Sequence, residues 1–302
     1  MARDDGRSNT DHLTVGAALV AATARLRDAG SPSARLDAEV LLAHLLRTER
    51  SWLLAHPEAP LTDPGAFDVL VQRRAAGEPV AYIRGFKEWH SLRIRTDARA
   101  LIPRPETELL ADTAVRELTD RLTSRATRVV AWDVGTGTGA VALVLARAFA
   151  TEIARERVLL VASDISPEAL DLAAENLASH GVADGVTLAR ADLLQPDGEK
   201  LPPPDVVVAN LPYVPSAEVD SRLGSLGFEP RVALDGGPDG LQYLRELLAQ
   251  ARSHVAPGAT ILLETGVGQA PAIIGLAGAG VTATIVPDLA GLDRVLRLEM
   301  PD

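Results

Sequence analysis

Along the first eighty residues the apolar positions recur at helical spacing. Val15, Ala18, Leu19, Ala22 and Leu26 fall three or four apart, which predicts a helix over 12–29, with Thr14 as its cap and Gly30 as its stop. Ser31-Pro32-Ser33 restarts the chain, and Leu36, Val40, Leu41, Leu45 and Leu46 repeat the stripe in a second helix. A third, short helix is expected around 50–56 and a fourth over 64–76, closed by Gly77-Glu78-Pro79. These stripes describe the interior of a small helical domain without a catalytic constellation.

The pattern then changes. Tyr82-Ile83-Arg84-Gly85-Phe86 and Leu92-Arg93-Ile94-Arg95-Thr96 read as two short strands, a hairpin between two domains. In Leu101–Glu108, Pro103 and Pro105 fix an extended entry, and Thr107 with Glu108 opens a helix running to about Arg121. Arg104 and Glu106 are carried on that stiff loop, where they can face a site.

Beyond residue 127 short apolar runs alternate with helical stripes. Strands are expected near 128–134, 157–164, 186–191, 205–209, 259–264, 281–286 and 294–298, and helices near 138–150, 166–179 and 238–255. The alternation predicts an open, mostly parallel α/β sheet with its ligand at the carboxyl ends of the strands. The last two strands, close in sequence, should pair antiparallel through the Pro287–Gly291 turn. The domains so drawn are 1–79 (helical), 80–100 (hairpin linker) and 101–302 (sheet).

Composition narrows the chemistry. The chain has 302 residues, room for two domains, with 47% hydrophobic and only 3% aromatic residues, so Ala, Val and Leu must fill the core. The absence of Cys excludes disulfides, thiolate metal sites and a Cys nucleophile. The six His residues show no ligand spacing, so no metal is expected. A formal charge of −11 argues against a broad phosphate-binding surface and hence a nucleic-acid substrate. Met1–Asp11 contains no apolar stretch of a leader, and no apolar run approaches a membrane span, so a cytoplasmic location without membrane contact is expected.

Two stretches carry candidate chemistry. Val206-Val207-Val208-Ala209 is a buried strand delivering Asn210-Leu211-Pro212-Tyr213 to a rigid turn. The Asn210 side-chain oxygen and the Leu211 carbonyl can both accept from one NH2 group. Pro212 holds Leu211 extended, and Tyr213 offers a flat face. Asp133-Val134-Gly135-Thr136-Gly137-Thr138-Gly139 sits where the first strand of the sheet turns into a helix. By itself this loop also satisfies a loose dinucleotide fingerprint through Gly135, Gly137 and Ala140. The residues ending the next strands weigh against that reading. Asp164 can accept both ribose hydroxyls, Asp192 can accept from an adenine amino group, and Asn210 ends the fourth strand where a reacting group would lie. An acidic row without a pyrophosphate clamp suits S-adenosyl-L-methionine, a sulfonium nucleoside.

These residues resemble class I methyltransferases, and the Asn-x-Pro-Tyr turn resembles that of enzymes methylating planar nitrogens. Arg73-Arg74, Gly77-Glu78-Pro79-Val80-Ala81-Tyr82-Ile83, Leu101–Glu108, Phe228-Glu229-Pro230-Arg231-Val232-Ala233-Leu234, Asp239-Gly240-Leu241 and the run Asp288–Val295 are similar to signatures of the HemK/PrmC family of release-factor glutamine methyltransferases. The resemblance spans about residues 12–298. It implies a Rossmann-like seven-stranded sheet with an antiparallel last strand, preceded by a helical domain that helps to grip the protein substrate. It implies methyl transfer to the Gln side-chain amide in the Gly-Gly-Gln loop of peptide chain release factors, by a chain expected to be monomeric. Asn210, Leu211, Pro212 and Tyr213 would hold that amide, with Arg104 and Glu106 beside them. Asp133, Gly135–Gly139, Asp164, Asp192, Leu193 and Asn210 would hold the cofactor. The family usually has Pro where this chain has Leu211, a departure that keeps the backbone acceptor. The rival readings are a ribosomal-protein glutamine methyltransferase, an adenine-N6 methyltransferase, a nicotinamide dehydrogenase and a non-catalytic cofactor-binding scaffold.

Overall fold

The structure is a computed structural model that describes residues 13–125, 127–198, 200–221 and 225–302; the Met1–Asp11 stretch read above lies outside them. Its compact units divide between Arg84 and Gly85.

In the first unit the Thr14 hydroxyl accepts the Ala17 amide at 3.2 Å and opens α1 (Val15–Asp28). Four further helices follow: α2 (Ala34–Leu46), α3 (Arg50–Ala55), α4 (Pro64–Ala75) and α5 (Val80–Arg84). Asp63 caps α4 through the Ala66 amide at 2.8 Å, with Pro64 at the first turn, where its missing N–H costs nothing. The predicted stripes meet in one core, with Leu19, Leu26, Leu41, Leu42, Leu53 and Phe67 buried together. One expectation fails here, because residues 82–84 are helical rather than the start of a strand. Adjacent Tyr82 and Ile83 are both buried, whereas a strand would turn them to opposite faces. Gly85, at φ 77°, ends the helix.

The second unit opens with a true hairpin, β1 (Phe86–Trp89) against β2 (Leu92–Arg95), turned by His90 and Ser91 in left-handed conformations. Then come α6 (Thr107–Ser124), β3 (Val129–Val134), α7 (Ala140–Ala148), α8 (Ala150–Ala154), β4 (Val158–Asp164) and α9 (Pro167–Ser179). They are followed by β5 (Val186–Asp192), β6 (Gln195–Pro196), β7 (Val206–Ala209), α10 (Ser216–Ser221) and α11 (Gln242–His254). The chain closes with β8 (Thr260–Glu264), α12 (Ala270–Ala277), β9 (Thr282–Pro287) and β10 (Asp293–Glu299).

The sheet runs β6-β5-β4-β3-β7-β8-β10-β9. Its centre is parallel, and β10 lies antiparallel to both β8 and β9. All seven expected strands are present; the two-residue β6 and the short helices α8, α10 and α12 are additions. Both faces are covered, which is why the central strands read as unbroken apolar runs. Val129, Ala131, Val206 and Val208 join Leu110, Leu118 and Leu143 on one side of the sheet. Val130, Trp132, Val207 and Ala209 join Leu244, Leu248 and Ile273 on the other.

Candidate active site

The parallel register sets Val134 beside both Ser163 and Ala209, and Ala209 beside Leu263, so the residues following these positions emerge along one edge. That edge holds the site.

At the end of β3, Asp133 Oδ2 accepts the Thr136 hydroxyl at 2.6 Å and the Ala142 amide at 3.0 Å. The carboxylate thus ties the glycine loop to the first turn of α7. Burial pushes its pKa up to about 6, with the Asp164 charge adding and the two donors opposing. Gly135 has φ 71°, and a Cβ there would stand 3.1 Å from Leu211 Cδ2, so the glycine loop and the Asn210–Tyr213 turn are closely packed. Thr138 is buried, and its carbonyl accepts from Asn176 Nδ2 at 2.9 Å. Asn176 also pairs with both backbone groups of Arg95, so it joins α9, the hairpin and the loop.

At the end of β4, the two oxygens of Asp164 accept the Gly137 amide at 2.9 Å and the Ser166 amide at 3.0 Å. Burial raises its pKa, and the backbone donors oppose the rise. Asp192 is exposed at the end of β5, and Leu193 is buried with a left-handed φ of 55°. Gly135, Asp164, Asp192, Leu193, Asn210 and Tyr243 all line one cleft. Arg99, also in its lining, is engaged by Asp97 and Glu175.

The Asn210–Tyr213 turn separates this cleft from a second depression; Asn210, Leu211 and Pro212 line both. Asn210 Nδ2 donates to Thr107 Oγ1 at 3.0 Å. The Tyr213 carbonyl accepts from Gln269 Nε2 at 3.0 Å, and the Tyr213 hydroxyl reaches Glu264 Oε1 at 3.4 Å. Burial, aided by the Glu264 charge, pushes the Tyr213 phenol up to about 12, so it stays neutral. Behind the turn, Gly236 N donates to the Val214 carbonyl at 2.8 Å. Gly240, at φ 71°, approaches so closely that a Cβ would lie 2.4 Å from the Tyr213 carbonyl oxygen.

Arg104 lines both depressions, and its guanidinium is held by Glu229 at 2.6 Å. Glu106 is exposed and lines neither; its charge is felt by Tyr213 and Glu264. Thr107 as a partner of Asn210, and Glu229, Glu264, Gln269 and Asn176 in their site contacts, are absent from the sequence reading. Glu264 carries the same signal as Asp164, an acidic residue ending an apolar run. Pairing Thr107 with Asn210 across 103 residues has no local signal.

Residues 17–85 match the PrmC N-terminal domain family and residues 131–225 a methyltransferase domain family. The chain is 41% identical over 288 residues to a release factor glutamine methyltransferase of Moorella thermoacetica, covering 93% of this chain and 97% of that protein. It is 39% identical over 283 residues to the enzyme of the same description from Deinococcus radiodurans, with 92% and 96% covered. For that of Rhodopirellula baltica the identity is 35% over 305 residues, with 97% and 98% covered. Similarity of this extent, over both the helical unit and the sheet with its strand-tip site, makes the chain a member of the release factor glutamine methyltransferase family.

Proposed function

We propose that this chain transfers a methyl group from S-adenosyl-L-methionine to the side-chain amide nitrogen of the Gly-Gly-Gln glutamine in peptide chain release factors. The observation that carries this reading is the Asn210–Tyr213 turn, whose Asn210, Leu211 and Pro212 line two depressions at once while Tyr213 lines the second. One depression suits the cofactor and the other a side chain reaching in from a protein.

The cleft residues fit the cofactor. Asp164 spends one lone pair of each oxygen on backbone amides and keeps acceptors for two hydroxyls. Both cations in the cleft lining are engaged, Arg99 by Asp97 and Glu175 and Arg104 by Glu229, which leaves a pyrophosphate without a clamp. Asp192 and Leu193 would flank the adenine, and Gly135–Gly139 the amino-acid end. When bound, S-adenosyl-L-methionine supplies a methyl group on a positively charged sulfur.

A glutamine amide is a poor nucleophile because its nitrogen lone pair is delocalised. In this proposal the Asn210 side-chain oxygen and the Leu211 carbonyl accept its two N–H groups and orient the nitrogen. Tyr213 and Pro212 flank the amide plane, and Arg104 borders its entry. The rate gain is one of position and electrostatics. The methylated amide cation is acidic enough to lose its proton without a dedicated base.

Among the described residues no helix is long and apolar enough to cross a membrane. A cytoplasmic site of action and a protein rather than nucleic-acid acceptor, in keeping with the charge of −11, belong to the same proposal.

Mass spectrometry of a release factor incubated with the protein and S-adenosyl-L-methionine tests it. One added methyl on the Gly-Gly-Gln glutamine, lost with Asn210→Ala, is the expected result. Cofactor binding with no methyl on the factor would overturn it.

A further inference from the structure

Gln269 closes the connection between β8 and α12, half-buried where the helix begins. Its side-chain amide reaches back to the Asn210–Tyr213 turn. Nε2 donates to the Tyr213 carbonyl at 3.0 Å and lies 3.5 Å from the Gly240 carbonyl, while Oε1 accepts the Gly266 amide at 2.9 Å. These partners are backbone groups of fixed polarity, so the amide can sit only one way round. One side chain thus ties together segments far apart in sequence: the turn after β7, the loop before α11 and the loop after β8.

The slot that holds this amide has no spare room. A Cβ on Gly240 would stand 3.0 Å from Nε2, and one on Gly266 would stand 2.8 Å from Oε1 and 3.3 Å from Tyr213 Cδ2. Glycine on both sides lets a long amide pass between two backbones and reach a third.

Holding the Tyr213 carbonyl has consequences upstream. Pro212 locks its own φ, so few rotatable bonds separate that carbonyl from the Leu211 carbonyl. A turn held at Tyr213 therefore also holds the direction of the Leu211 acceptor and the plane of the Tyr213 ring. Gln269 lines the second depression and not the cleft that holds Gly135 and Asp164, so its grip bears on the acceptor side of the site.

We infer that Gln269 is a positioning residue that locks the Asn210–Tyr213 turn through the Tyr213 carbonyl, aiming the Leu211 acceptor and the Tyr213 ring at the incoming amide. The inference rests on the proposed reaction and deepens it.

The test uses the full-length protein, a release factor and S-adenosyl-L-methionine, with variants that break the contact from opposite ends. Gln269→Glu keeps the length and the acceptor for Gly266, but replaces the donor with an oxygen that repels the Tyr213 and Gly240 carbonyls. Gly266→Ala leaves Gln269 in place and drives a Cβ into its Oε1. Each should lower kcat about 10- to 100-fold, the scale of a reacting group displaced by about an ångström. S-adenosyl-L-methionine affinity, read by calorimetry, should stay within about threefold of wild type. Misdirection of the acceptor predicts that split, and a general loosening of the fold does not. A wild-type kcat in folded Gln269→Glu would overturn the inference, as would a cofactor affinity that falls by the same factor as kcat. If Gln269→Glu does not fold, the kcat of Gly266→Ala decides in the same way. If neither folds, the amide is a strut of the fold and the inference fails. A wild-type protein that methylates no release factor would instead overturn the reaction itself, and the inference with it.

Discussion

Glu229, its side chain 2% exposed, accepts the Arg104 guanidinium at 2.6 Å and the Ile102 amide at 3.0 Å. This clasp joins the Leu101–Glu108 loop to the Phe228–Leu234 segment, and residues of both line the cleft that also holds Gly135, Asp164 and Asn210. Glu229→Ala leaves the Ile102 amide without its partner, while the Arg104 side chain, 32% exposed, regains water. The expected cost is about 1.5–3 kcal/mol of stability together with weaker cofactor binding. Thermal denaturation and calorimetry check both, and an unchanged melting temperature would show that the clasp contributes nothing.

Gly240→Ala should be among the most damaging small substitutions. Its backbone is left-handed, and the added Cβ would press to 2.4 Å on the Tyr213 carbonyl oxygen. The chain must shift, and the turn with it. A stability loss of more than about 1 kcal/mol is expected, with a larger fractional loss of kcat than of fold. Wild-type turnover in the folded variant would contradict the close approach.

Leu211 anchors the turn by packing. The side chain is 5% exposed, sits in the core cluster with Val134 and Leu193, and touches the space above Gly135. Leu211→Ala should cost about 2–5 kcal/mol and weaken both cofactor binding and turnover, since it loosens the contact between loop and turn. Chemical denaturation measures the first effect and steady-state kinetics the second. A loss confined to stability would separate the two.

Asp133 makes a prediction in pH. Its folded pKa of about 6 lies above the ordinary 3.8, so between these values the folded state holds a proton that the unfolded state has released. Stability therefore falls as pH rises through that window, by on the order of 3 kcal/mol, and the penalty stays constant above it. Asp133→Asn removes the ionisation. Its stability relative to wild type should improve from pH 4 toward pH 6 and then level off, read from urea melts across that range. A difference independent of pH would mean that the carboxyl titrates normally.

Local signals carried much of the fold. The period of the apolar positions located α1, α2 and α4, because a helix that buries one side needs an apolar residue every third or fourth position. The central strands were legible as apolar runs, since strands buried on both faces tolerate little else. The exception at 82–84 is instructive. A five-residue helix is too short to display a period, so its sequence carries no sign of its helical state.

Within the site, the strand tips were legible before folding: Asp164 and Asp192 end strands, Asn210 follows one directly, and Asp133 lies one residue short of the end of β3. Those positions follow from chain direction alone, because every parallel strand of one sheet points its carboxyl end the same way. How each group is used depends on what folding brings beside it. Asp133 turns inward to hold its loop, Glu229 clasps Arg104, and Thr107 meets Asn210 from 103 residues away. A hydrogen bond needs a partner at about 3 Å in a set direction, and that condition is met by folding and not by spacing along the chain.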